Sequence, residues 1–209
     1  MSDLVGGKYP QLNAAQVQLG LPSATAQTNI PVRSNTEFPF ASGTWADTAA
    51  ALTTQVMTAV PVPVEVGQVI TNISVLVGNT AGSTFTNSWA ALYSGTTVAS
   101  PPLIAQTPDG AGTPANGTQS TRLDFTFTTP QVITAAQAPY GYVWAAIMVK
   151  GTVCSLITAA VPAAVGQYRY FTNTPLYACQ TAGSSLTTTA PATLINASTK
   201  TTSIATFVW

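Results

Sequence analysis

The chain reads as an all-β protein, an antiparallel β-sandwich of jelly-roll-like character preceded by an extended N-terminal arm. Three observations predict this. From about Thr53 apolar residues recur at a period of two, the spacing of half-buried strands. Turn-forming pairs such as Gly78-Asn79, Ser94-Gly95, Asp109-Gly110, Asn116-Gly117 and Tyr140-Gly141 punctuate these runs. No helical period intervenes, and about one residue in six is threonine, whose branched side chain suits a pleated strand.

Residues 1–52 form the expected arm, and residues 53–209 the sandwich. Pro10, Pro22, Pro31 and Pro39 deny the arm long helices and central strands. A short helix is expected around residues 12–19, where Leu12, Ala15, Val17 and Leu19 space the apolar positions. An irregular leader of this length becomes ordered only when something holds it, and neighbouring subunits are the expected clamp. Its candidate anchors are Leu4, Tyr9, Leu19, Leu21, Phe38, Phe40 and Trp45.

The strands follow in order. Val60, Val62, Val64 and Val66 alternate with Pro61, Pro63, Glu65 and Gly67. Val69, Ile73, Val75 and Val77 share one face opposite Asn72 and Ser74. Leu123, Phe125 and Phe127 alternate with Arg122, Asp124 and Thr126. Further strands are expected at 88–93, 131–134, 142–150, 153–158, 167–172 and 203–209. Two stretches, 101–121 and 183–200, lack any apolar period and read as long polar loops that either carry contacts or simply face water.

The chemistry is sparse. Six basic and six acidic side chains give a formal net charge of zero, and histidine is absent. Without histidine, neither a Ser-His-Asp nor a Cys-His arrangement can be built. The acids Asp3, Glu37, Asp47, Glu65, Asp109 and Asp124 show no paired spacing, so a glycosidase, which needs two carboxylates across one cleft, stays a remote reading. Asp124 and Arg122 lie two apart on one strand face, the placement of an exposed ion pair. No metal and no cofactor is expected. Neutrality argues against nucleic acid and anionic lipid as partners, and favours association with other copies. No basic-then-apolar segment follows Met1, so no signal peptide is expected, and no apolar run marks a membrane span.

The aromatic residues carry the binding candidates. In residues 142–150 one face holds Val143, Ala145, Ile147 and Val149, and the other Tyr142, Trp144, Ala146 and Met148. A strand apolar on both faces is covered on both. The second cover is a loop, the arm or another subunit, which makes Tyr142, Trp144 and Met148 a candidate interface. Trp89 with Tyr93, and Tyr168 with Tyr170, share faces and are candidate ligand-facing aromatics for a glycan, against the plainer reading of core packing. Cys154 and Cys179 either form a disulfide or stay two buried thiols, the state that synthesis in a cytosol favours.

Residues 56–93, with Val60-Pro61-Val62-Pro63-Val64-Glu65-Val66-Gly67-Gln68 followed by Trp89-Ala90-Ala91-Leu92-Tyr93, resemble β-sandwich virion proteins of tailed phages, those of actinobacteria above all. Tyr140-Gly141-Tyr142-Val143-Trp144 looks like a matching strand of the same pattern. The resemblance implies a non-enzymatic virion subunit, a minor tail or capsid decoration protein. Its implied partners are other virion proteins and copies of itself, with a host cell-surface glycan as the alternative partner of a receptor-binding module. The implied location is the virion, after synthesis in the host cytoplasm. The resemblance transfers no active-site residue.

Overall fold

The computed structural model describes residues 33–34, 45–77, 83–96, 100–110, 122–152, 155–160, 168–171, 174–176, 180–194, 198–199, 202–204 and 206–209. Among them no helix occurs. The first strands are β1 (Arg33–Ser34), β2 (Trp45–Ala51), β3 (Met57–Pro63), β4 (Val69–Leu76) and β5 (Ser83–Ser94). Next come β6 (Leu103–Gln106), β7 (Arg122–Val132), β8 (Tyr142–Thr152), β9 (Ser155–Ala160) and β10 (Tyr168–Phe171). The last are β11 (Thr174–Leu176), β12 (Gln180–Ala182), β13 (Ser198–Thr199), β14 (Thr202–Ile204) and β15 (Thr206–Val208). For β1, β2, β9, β10, β11 and β13 the description is of backbone pairing.

Two antiparallel sheets make the sandwich. One runs β1-β15-β4-β7 and the other β13-β12-β3-β8-β5-β6. Their inner faces meet in one core. Cross-strand rows such as Val60–Ala145–Leu92 on the larger sheet face rows such as Val208–Ile73–Phe125 on the smaller. The period of two puts each of these sets on one face, and their burial shows that this face turns inward. Each fully buried large side chain here contributes about 1.5–3 kcal/mol. A three-stranded sheet β14-β9-β2 and the pair β10-β11 complete the described strands.

Proline sets limits on pairing that the structure respects. Pro61 and Pro63 lie within β3, a strand with neighbours on both sides, yet β12 pairs only with Met57, Thr58 and Ala59. Among the described residues no strand pairs with that side of β3 beyond Ala59, so there the missing N–H groups break no ladder. Pro130 sits in β7, the edge of the smaller sheet. The register there jumps from Ile70↔Gln131 to Asn72↔Thr126, a bulge that takes up the extra residues. Sequence alone splits this region into two strands, at 123–127 and 131–134. The bulge joins the first of them to residues 131–132 in one strand, while Ile133 and Thr134 lie in the turn that follows.

Two glycines let β5 and β8 lie side by side along their length. A Cβ on Gly95 would sit 1.7 Å from the Tyr142 carbonyl oxygen. At the other end, a Cβ on Gly151 would sit 2.6 Å from the Thr84 carbonyl oxygen. No side chain fits either place.

Within the expected arm of residues 1–52, two stretches form strands. Arg33–Ser34 pairs with β15, Trp45–Ala51 pairs with β9, and Val32–Trp209 forms one compact unit apart from Met1–Pro31. Hydrogen bonding to strands far along the chain, which sequence periodicity does not report, places residues 33–34 and 45–51 on the sheets. The helix expected at 12–19 lies outside the described residues.

Candidate functional site

Both outer faces of the sandwich are candidate surfaces, and they differ. On the larger sheet, Trp89 and Tyr93 of β5 lie beside Met148 and Trp144 of β8, with Met57 of β3 in the same cluster. Residues 183–194 cross this face as a strap. Leu194 and Ala190 of the strap are buried against the aromatic side chains, and Leu186 packs at the margin. Trp89, Tyr93 and Met148 are fully buried, and Tyr142 and Trp144 nearly so. The second cover of β8 is therefore the chain's own strap.

Amide and aromatic donors hold the strap. Trp89 Nε1 donates to the Thr187 carbonyl at 2.7 Å, and Tyr93 Oη to the Pro191 carbonyl at 3.1 Å. Gln106 bridges twice, its Nε2 donating to the Thr188 carbonyl at 2.7 Å and its Oε1 accepting from Ala190 N at 2.6 Å. Gln55 exchanges bonds with Leu186 through Nε2 and its backbone carbonyl. Leu103 N donates to the Ala192 carbonyl, and Leu194 N to the Pro101 carbonyl, extending the sheet edge beyond β6. An irregular segment with its backbone groups satisfied in this way can lie on an apolar face at little cost.

Burial also tunes the phenols. Loss of water pushes Tyr142 up from the ordinary 10.0 to about 12, with the neighbouring Tyr140 adding to the rise. Tyr93 is pushed higher still by burial. Both stay neutral hydrogen-bonding groups through the physiological range.

The smaller sheet's outer face is polar and partly open. Ser74 Oγ donates to Asp124 Oδ1 at 2.6 Å and accepts from Trp209 Nε1 at 2.8 Å. Arg122 grips Asp124 with two nitrogens, each at 2.8 Å, and its guanidinium lies 5.2 Å from the Trp209 ring centre. Trp209 itself is sewn to β4, since its carbonyl accepts from Thr71 N, Thr71 Oγ1 and Asn72 N, all at 2.8 Å. Leu76 and Phe207 lie half-buried on the same face, in register with Arg122 and Ser74. The Arg122 and Asp124 side chains are 54% and 34% exposed, so the pair contributes below about 1 kcal/mol.

Asp109, the other acid that sequence singled out in a turn, closes a turn. Its carboxylate accepts from Ser88 N at 3.0 Å and from Asn87 Nδ2 at 2.6 Å, and the neighbouring Gly110 N donates to the Ser88 carbonyl. Among the described residues, no three His, Cys, Asp or Glu side chains come together. Among them too, no helix is long and apolar enough to cross a membrane.

Several expectations change. Trp89 and Tyr93 are not ligand-facing, because the strap seals them. Tyr142, Trp144 and Met148 are not an open interface, for the same reason. The 183–200 loop is a covering segment over 183–194, and the 101–121 loop contains strand β6. Trp45 opens β2, and Tyr168 and Tyr170 lie on β10, all as backbone placements. Leu4, Tyr9, Leu19, Leu21, Phe38, Phe40, Cys154 and Cys179 fall outside the described residues. The expected Arg122–Asp124 pair is present. Sequence reasoning missed Gln55 and Gln106, neutral amides whose partners sit far along the chain. Leu186 and Leu194, isolated apolar residues in a Thr-rich run, were the available signal for the strap.

These features define an antiparallel β-sandwich with one self-covered face and one partly open polar face. No protein-family model matches the chain, and a search of the curated proteins found no relative.

Proposed function

We propose that the chain is a non-enzymatic structural subunit of a bacteriophage particle, of minor tail or capsid decoration type, attached to its neighbours through its leading segment. The observation that carries this reading is the division of the chain. Val32–Trp209 clusters as one compact unit and Met1–Pro31 as another, and the leading residues include the apolar anchors Leu4, Tyr9, Leu19 and Leu21 that this reading assigns to neighbouring subunits. Three further points support it. The strand phrases resemble those of phage virion proteins. The carboxylates of Asp109 and Asp124 are spent on turns and pairs that hold strands together. The zero net charge suits a surface that meets many identical neighbours. The glycan-binding reading loses its Trp89–Tyr93 platform to the strap.

Deletion of residues 1–31 tests the anchor role. The cut stops short of 33–34 because β1 pairs with β15. The shortened chain is expected to keep its β-sheet circular dichroism and cooperative melt while disappearing from purified particles. Normal incorporation of the deletion into particles refutes the anchor.

A further inference from the structure

We propose that the strap, residues 183–194, is a hinged latch that lifts from the aromatic face as one unit while both sheets stay folded. The closed form hides Trp89, Tyr93 and Trp144, and the open form bares them. This device belongs to the chain alone and does not depend on the anchor role.

The strap is held less firmly than the sheets beneath it. Ser184, Ser185, Thr187, Thr188 and Thr189 are exposed, and of its own apolar residues only Ala190 and Leu194 are buried, with Leu186 partly so. No strand ladder passes through it. The order β13-β12-β3-β8-β5-β6 is complete without these residues, so lifting them breaks no bond between those strands. What breaks is a set of point attachments. They join Trp89 to Thr187, Tyr93 to Pro191, Gln106 to Thr188 and Ala190, and Gln55 to Leu186, with edge bonds at Pro101 and Leu103. A segment with few buried apolar groups opens at a lower free energy than the whole fold.

Strain gathers where the strap begins. Among the described residues three other than glycine have positive φ: Gln55 at 62°, Thr84 at 53° and Ser185 at 53°. Two of these three meet. Ser185 precedes Leu186, whose N–H donates to the Gln55 carbonyl at 3.0 Å and whose carbonyl accepts from Gln55 Nε2 at 3.2 Å. Gly183, at φ 74°, follows the last residue of β12. Left-handed backbone at a residue with a Cβ persists only where surrounding contacts hold it, and such strain collects at switching segments. Lifting the strap frees Ser185, while Gln55 stays tied to β8 by its N–H bond to the Val149 carbonyl at 2.9 Å. Ser185 is thus the hinge, and its relaxation favours opening. Exposure of Met57, Trp89, Trp144 and Met148 opposes it and keeps the closed form dominant.

Native-state amide exchange of the full chain, read by NMR, tests the latch. The N–H groups of Leu186, Ala190 and Leu194 are all bonded in the closed form. They should exchange at least about tenfold faster than those of Ala91 in β5 and Ala146 in β8, through one opening that added urea barely accelerates. Ser185→Gly, which accepts positive φ without strain, should slow Leu186 and Leu194 at least about threefold. Gln106→Ala removes the bonds to Thr188 and Ala190, and should quicken Leu186 and Leu194 by one shared factor of about ten. The melting temperature of each variant is the control for folding. Strap amides as slow as Ala146 and as sensitive to urea would make the segment part of the sheet unit and overturn the latch. So would unequal responses of Leu186 and Leu194 to Gln106→Ala, or a Ser185→Gly chain whose strap exchanges no more slowly.

Discussion

Trp89 in the middle of β5 donates its indole N–H to the carbonyl of Thr187, 98 residues away, at 2.7 Å. That bond joins the sheet to a segment without regular structure of its own. It lets one face of a two-layer sandwich be closed without a third sheet. The strap is thus a part of the core that lies outside the strand pattern.

Trp89→Phe is expected to destabilise the sandwich by about 1–2 kcal/mol, since the ring volume is largely kept and one hydrogen bond is lost. Trp89→Ala should cost about 3–5 kcal/mol by leaving a cavity. Urea unfolding of the two variants distinguishes these values. Equal losses for both would mean that the bond, and not the packing, fixes the strap.

Gln106 should act as a clasp. Gln106→Ala removes two bonds to the strap and is expected to cost about 2 kcal/mol. The local effect is more telling. Amide exchange at Ala190, and proteolysis within 183–194, should quicken well beyond the change in global stability.

Gly95→Ala should be among the worst single changes in the chain, at least about 3 kcal/mol, because the new carbon collides with the backbone of Tyr142. Gly67→Ala meets open space and suffers only its positive φ of 88°, about 1–2 kcal/mol. A thermal melt of each variant tests the order. A Gly95→Ala protein as stable as Gly67→Ala would contradict the tight approach of β5 and β8.

Stability should be flat on the neutral side of pH 10 as far as tyrosine is concerned, since Tyr93 and Tyr142 keep their protons whether folded or unfolded. As pH rises past 10, the unfolded chain releases protons that the folded chain retains, and stability falls until Tyr142 ionises in place at about 12. Each retained proton steepens the fall by about 1.4 kcal/mol per pH unit. Tyrosinate absorbance followed alongside unfolding should show these two phenols titrating late. If they ionise at the ordinary value with the fold intact, the strap does not exclude water.

Much of this architecture was legible in the residues. Val60, Val62, Ile73, Val75, Leu123 and Phe125 alternate with polar or proline positions, and the period of two groups each set on one face, the face found in the core. The Arg122–Asp124 pair follows from the same rule, because residues two apart on a strand share a face. The doubly apolar run from Tyr142 to Val149 announced that β8 is covered on both sides. These are local properties, set by backbone geometry and the aversion of apolar side chains to water.

The identity of the second cover was decided only by the tertiary structure. Its bonds run from Trp89 to Thr187, from Tyr93 to Pro191 and from Gln106 to Ala190, and no local pattern encodes a pairing across that distance. The bulge in β7, the pairing of β12 with Met57, Thr58 and Ala59, and the capture of Trp209 by Ser74 belong to the same class. Alternation tells a side chain which way to face. Only the closed fold determines what stands opposite, because that depends on which distant backbone groups find each other once the core has formed.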